Sequence, residues 1–281
     1  MRTNAQSKMP APATRSLCRL PSPVSRSPYL CRMTRFTHDA VVPYVSSKQS
    51  KKEQVAGMFD DIAFRYDFLN RFLSIGIDQI WRKKLIAELK EVNPRKVLDV
   101  ATGTGDVAIM TAKRLDVEKI TGIDISQGML EIGRKKITKL LLNNKIELLL
   151  GDSEAINSDN ASFDAVTVAF GVRNFENLEK GLSEILRVLR PGGKLAVLEF
   201  SRPVGAFRWI YNLYMNRLAP FFGKLFCKNR EAYQYLHSSV KAFPEGETFL
   251  HILQQVGFKE TTLKRLSLGI CTIYCGRKSP V

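Results

Sequence analysis

The sequence predicts an α/β fold on a doubly wound, mostly parallel sheet, and three observations predict it. Short apolar runs alternate with segments of helical periodicity from residue 96 to residue 200, the pattern of right-handed βαβ crossovers. The stretch V-L-D-V-A-T-G-T-G-D, Val97 to Asp106, reads as a buried strand passing through a glycine turn into a helix. Gly103 and Gly105 allow a sharp turn and close approach of a ligand, and the helix beyond aims its free N–H groups over that turn. Finally, Asp99, Asp124 and Asp152 stand at or near the carboxyl ends of three strands, the side on which open α/β sheets bind ligands.

In chain order, residues 1–45 are rich in Ser, Arg and Pro and hold seven basic residues before any acidic one. Such a segment cannot build a core. It reads as a disordered extension, either a transit peptide whose prolines interrupt any amphipathic helix or sequence upstream of a true start at Met33. The folded domain is then 46–281. Val55, Phe59, Ile62, Tyr66, Leu69 and Leu73 recur at steps of three and four, giving a helix over 51–73 with one apolar face. Asp60, Arg65, Asp67 and Arg71 lie off that face. A second helix follows over 78–90, and the two (51–92) form a cap at the mouth of the site.

The core, 96–201, comprises strands at 96–100, 119–124, 145–150, 163–170 and 194–200. Its helices lie at 106–114, at 127–142 with Ser126 as cap, and at 176–190, stopping at Pro191-Gly192-Gly193. Residues 203–240 mix aromatic and basic side chains and read as a helical lid insertion, its basic residues turned towards a membrane surface. A helix over 246–256 and a hairpin of two antiparallel strands around Ser267-Leu268-Gly269 close the chain, 244–277.

Composition narrows the function classes. With 44% hydrophobic and 25% charged residues the chain is an ordinary globular one, and no apolar run is long enough to span a membrane. The five cysteines, Cys18, Cys31, Cys227, Cys271 and Cys275, complete no zinc set and read as reduced thiols. The net charge is +16, of which Met1 to His38 supply seven, leaving +9 for the remainder. That balance permits nucleic acid or anionic lipid as a partner without specifying either.

Gly103-x-Gly105-x-x-Ala108 also satisfies the dinucleotide pattern, with Asp124 placed as its ribose acid 19 residues beyond Gly105. Asp99 opposes that reading. A carboxylate beside the turn repels a pyrophosphate and favours the sulfonium and amino group of S-adenosylmethionine. Asp152 can accept from an adenine amine.

The motif D-V-A-T-G-T-G-D resembles motif I of class I S-adenosylmethionine-dependent methyltransferases. Three further blocks are more specific: Y-D-F-L-N-R-F-L-S-I-G-I-D-Q-I-W-R (Tyr66 to Arg82), F-G-V-R-N (Phe170 to Asn174) and R-V-L-R-P-G-G-K-L-A-V-L-E-F-S (Arg187 to Ser201). With Y-x-Y-L-x-x-S at Tyr233 to Ser239, the span from Val55 to Arg277 is similar to the UbiE/MenG family. The resemblance implies a class I Rossmann-like fold, S-adenosyl-L-methionine as methyl donor without a metal, and C-methylation of demethylmenaquinol to menaquinol. The alternatives are the equivalent step in ubiquinone synthesis and, more distantly, methylation of RNA, for which the chain carries no base-reading or N-P-P-Y/F motif. It further implies a lipid-tailed quinol partner, no nucleic acid, and a cytoplasmic protein in transient contact with the inner membrane face, or one of an organelle matrix if residues 1–45 are a transit peptide. A homodimer is left open.

The family's cofactor contacts fall on Thr104, Asp124, Asp152 and Ser153, joined by Asp99, Gly103 and Gly105 from the residue reading. Arg173 is the candidate to stabilise a ring oxyanion. Tyr66 and Asp67 are catalytic candidates, and Asp61 and His237 are further candidates for the base.

Overall fold

The computed structural model describes residues 36–203 and 230–280. Among these, seven strands, β1 (Lys96–Val100), β2 (Lys119–Asp124), β3 (Ile146–Leu150), β4 (Phe163–Ala169), β5 (Leu189–Phe200), β6 (Lys259–Leu266) and β7 (Cys271–Arg277), form one sheet. Its order is β3-β2-β1-β4-β5-β7-β6. The first five strands pair in parallel, and β7 runs antiparallel to both of its neighbours. The expected hairpin forms, its turn carried by Ser267, Leu268 and Gly269 in the left-handed region.

Alternation along the strands divides the core in two. Leu98, Val100, Val166, Val168 and Val197 face α5 (Leu178–Val188) and α7 (Glu247–Val256). Val97, Ile120, Ala165, Ala196 and Ile273 face α2 (Ile77–Ala87), α3 (Asp106–Arg114) and α4 (Gln127–Lys139). Both faces of the parallel part are covered, as such sheets require. The remaining helices are α1 (Lys51–Leu73) and α6 (Arg230–Ala242). Ser50 caps α1 in a reciprocal box with Glu53, and Ser126 caps α4 as expected.

Three features differ from the sequence reading. The Pro191-Gly192-Gly193 stop lies inside β5, because the helix ends at Val188 and Leu189 already pairs with Phe163 across a bulge. Gly192 N–H donates to the Lys278 carbonyl and Lys278 N–H to that of Gly193, so the glycines bond to the chain's last segment.

Secondly, residues 36–45 belong to the folded unit, which begins at Thr34, and not to the extension. Phe36 packs on the core. His38 is fully buried edge-on to Phe243, where burial pushes its pKa down to about 3 and keeps it neutral. Lys51 Nζ donates to the His38 carbonyl at 2.8 Å. Composition hid this because a single buried ring, rather than a periodic face, anchors the segment.

Thirdly, the polar side of α1 is not simply solvated. Phe64, Phe68 and Phe72 are exposed there beside Arg65 and Arg71, while Asp60 and Asp67 reach across to α4 and the glycine turn. The lid expectation for residues 204–229 lies outside the described residues, as do Cys18, Cys31 and Cys227. No helix among the described residues is long and apolar enough to cross a membrane.

Candidate active site

The glycine turn leaves β1 through Ala101, Gly103 and Gly105, all at positive φ (54°, 56° and 76°). Beneath it Asp99 is buried, accepting from the hydroxyls of Thr102 (2.7 Å) and Thr167 (2.6 Å). A Cβ on Gly122, the β2 residue opposite Asp99, would lie 2.8 Å from Thr102 Oγ1. That glycine, unremarked in the sequence, makes room for the brace. Burial outweighs the two hydroxyls and pushes the Asp99 carboxyl up to about 6.

The native state therefore holds this proton more tightly than the unfolded chain, so its contribution to stability is present below pH 4 and is lost as pH rises through 6. Between pH 4 and pH 7 the stability of wild type relative to Asp99→Asn is expected to fall by about 2 kcal/mol. A difference that stays constant across that range in denaturant titrations rejects the perturbed carboxyl.

A cavity opens above the carboxyl ends of β1, β2 and β4, its wall built by α1 and the loops that follow those strands. Of the residues singled out from the sequence, Gly103, Asp124, Ser153 and Tyr66 line it. Thr104, Gly105, Asp99, Asp152, Asp67 and Arg173 are not in its lining. Asp124 ends β2 with one oxygen on Gly103 N (2.8 Å) and the other on Ser126 N (2.9 Å). Burial raises its pKa against those N–H groups. Asp152 accepts from Glu154 N and pairs with Lys52. Asp61 and His237 are solvent-exposed, away from the cavity lining.

The cap helix α1 supplies Val55, Phe59 and Tyr66 to the cavity. It also sends one side chain to the loop after each of the first three strands. Asp67 accepts from Thr104 Oγ1 at 2.6 Å, Asp60 from Ser126 Oγ at 2.6 Å and Gly128 N at 2.8 Å, and Lys52 pairs with Asp152. Burial raises the Tyr66 phenol pKa, so at neutral pH it is a hydrogen-bond donor.

At the end of β4 the chain is strained. Phe170 has φ 58°, and a Cβ on Gly171 would lie 2.4 Å from the Ala101 Cβ, so the two loops close only because that position is glycine. The following turn, Val172–Asn174, carries Arg173. Its guanidinium is buried, donates to Glu199 Oε1 at 2.8 Å and to the Phe170 carbonyl, and lies 5.6 Å from the centre of the Phe200 ring. Its Nε has no partner among the described residues. Glu199, which the sequence reading passed over, is fully buried at the end of β5. Burial pushes its carboxyl upward and Arg173 opposes it. Phe170, Asn174 and Phe175, on either side of Arg173, line the cavity, and Tyr235 of α6 donates to Asn174 Oδ1.

The residues present fit S-adenosylmethionine. The bare backbone of Gly103 and the Asp124 carboxylate meet an otherwise largely apolar wall of Ile123, Ile125 and Met129. They fit a dinucleotide poorly, since an antiparallel β7 stands beside β5 where a second mononucleotide half would continue in parallel. Fold and site together define a class I S-adenosylmethionine-dependent methyltransferase. Residues 47–278 match the ubiE/COQ5 methyltransferase family, and the chain belongs to that family.

Among its relatives, a demethylmenaquinone methyltransferase of Bacteroides fragilis is 44% identical over 244 residues, covering 86% of this chain and 99% of the relative. A ubiquinone/menaquinone biosynthesis C-methyltransferase, UbiE, of Geobacter sulfurreducens is 44% identical over 230 residues, covering 81% and 90%. Of solved structures, a Methanococcus maripaludis protein assigned to the S-adenosyl-L-methionine-dependent methyltransferases is similar at 21% identity and a TM-score of 0.57, covering 79% of this chain and 94% of that one. The [4+2]-cyclase SpnF is similar at 18% identity and a TM-score of 0.53, covering 81% and 96%. That a cyclase shares the fold shows that the fold alone does not specify the reaction.

Proposed function

We propose that the protein methylates a ring carbon of demethylmenaquinol, giving menaquinol. The observation that carries the reading is a buried arginine, Arg173, held directly behind Phe170, Asn174 and Phe175, which line a largely apolar cavity that also holds Asp124. Its surroundings match the F-G-V-R-N block of a family whose similar members are named for this step. When bound, S-adenosylmethionine supplies an electrophilic methyl group.

Asp124 would hold the ribose hydroxyls, and Asp152 with Ser153 the adenine edge. For Asp152 this requires sharing its carboxylate with Lys52. Thr104 and Asp99 act one step back, holding the turn that carries Gly103. Arg173 stabilises the oxyanion of the reacting ring, which makes the adjacent carbon nucleophilic. The quinol hydroxyl proton leaves to solvent or to a water held by Arg173, and once the carbon carries the methyl its own hydrogen leaves as a proton while the oxygen regains one, which restores the aromatic quinol. Tyr66, protonated, orients the ring by donating a hydrogen bond, and Asp67 serves by fixing Thr104 and Lys136. Phe59, Phe170 and Phe175 exclude water and align the reactants. On the same reading the lipid tail brings a cytoplasmic protein into transient contact with the inner membrane face.

Labelled S-adenosylmethionine, offered with reduced demethylmenaquinone, the reduced ubiquinone precursor or undermodified rRNA, tests this directly. The label is expected in menaquinol. Transfer to the ubiquinone precursor or the RNA alone overturns the assignment.

A further inference from the structure

We propose that Arg82 binds the α-carboxylate of the methyl donor's methionine end. The proposal rests on the methyl-donor reading above and deepens it. S-adenosylmethionine carries a carboxylate beside its cationic amino and sulfonium groups. The acids around the glycine turn suit the two cations and leave the carboxylate without a partner. An anion in a partly dry site needs a fixed cation or several donors.

Four cationic side chains are buried among the described residues. Lys51 is bonded to the His38 carbonyl, Lys194 pairs with Glu91, and Arg173 pairs with Glu199 at the end of β4. Arg82 is also paired, with Asp78, but it alone of the four lies where the glycine turn becomes a helix. Its guanidinium pairs with Asp78 and lies 3.9 Å from Asp106, the first residue of α3. Its Cζ lies 5.7 Å from the centre of the Phe170 ring, which lines the cavity.

Arg82 is only 5% exposed, and its Nε has no hydrogen-bond partner among the described residues. A guanidinium offers five donors in a planar fork, and the edge made of Nε and one Nη can hold a carboxylate through two hydrogen bonds. The carboxylates within 4 Å of it among the described residues are Asp78 and Asp106, the latter shared with Lys136. Arg82 is thus offset mainly by Asp78 on its Nη side, and its Nε is the donor left for a further anion.

The test is calorimetry with three nucleosides: S-adenosylhomocysteine, its α-carboxamide, and 5′-methylthioadenosine, which lacks the amino-acid end. Arg82→Met is expected to weaken S-adenosylhomocysteine at least tenfold and to leave methylthioadenosine within twofold, with Arg82→Lys intermediate. In the wild type, which needs no variant to fold, the carboxamide is expected to bind at least tenfold more weakly than the acid. Equal affinity of acid and carboxamide overturns the proposal. So does an equal loss for S-adenosylhomocysteine and methylthioadenosine in Arg82→Met, which would make Arg82 a brace between α2 and α3. If the wild type binds none of the three, the methyl-donor reading falls, and this proposal with it.

Discussion

Arg173→Met is expected to lose most turnover with little change in cofactor affinity, and to cost about 3–5 kcal/mol of stability. The second effect follows from Glu199, which is fully buried with Arg173 as its cation. Removing the guanidinium leaves a carboxylate that must take up a proton or drag water into the core. The two effects can be separated by a second substitution. In Arg173→Met combined with Glu199→Gln the stranded charge is gone, so much of the stability is expected to return while turnover stays low. Recovery of turnover in the double variant would show that Arg173 only braces the end of β4. Product formation from reduced demethylmenaquinone, measured beside urea unfolding of the wild type and both variants, decides between them.

Asp124→Ala is expected to weaken S-adenosylhomocysteine binding by one to three orders of magnitude, about 1.4–4 kcal/mol. The loss has two sources: the ribose hydroxyls lose an ionised acceptor, and Gly103 N and Ser126 N lose the carboxylate that ties the two loops together. Asp124→Asn keeps one acceptor oxygen and is expected to fall between. Unchanged affinity by calorimetry in a folded Asp124→Ala protein removes Asp124 from the cofactor site.

What could be read in advance depended on whether the partners were near in sequence. The bounds of α1, the cap at Ser126, the glycine turn and the acid at the end of β2 are local features. They follow from helical spacing, side-chain capping and strand length. Asp99 was legible as an acid beside the turn but not as a brace, because Thr167, which takes one of its oxygens, is 68 residues away. Glu199 gave no signal of its own, because its partner Arg173 lies 26 residues earlier and on another strand end. The same holds for Lys52 and Asp152, which no spacing rule connects. Residues 36–45 failed for another reason: composition averages over a segment, and here one histidine and one phenylalanine decide its place.

The three contacts from α1 have a consequence for the order of events during synthesis. Asp67, Asp60 and Lys52 wait for partners that follow 37, 66 and 100 residues later. The helix is made early, but it cannot settle until β1, β2 and β3 have left the ribosome and paired. Closing over such long separations is slow compared with forming a helix. A nascent chain therefore completes its cofactor loops before the helix that roofs them can make its three contacts.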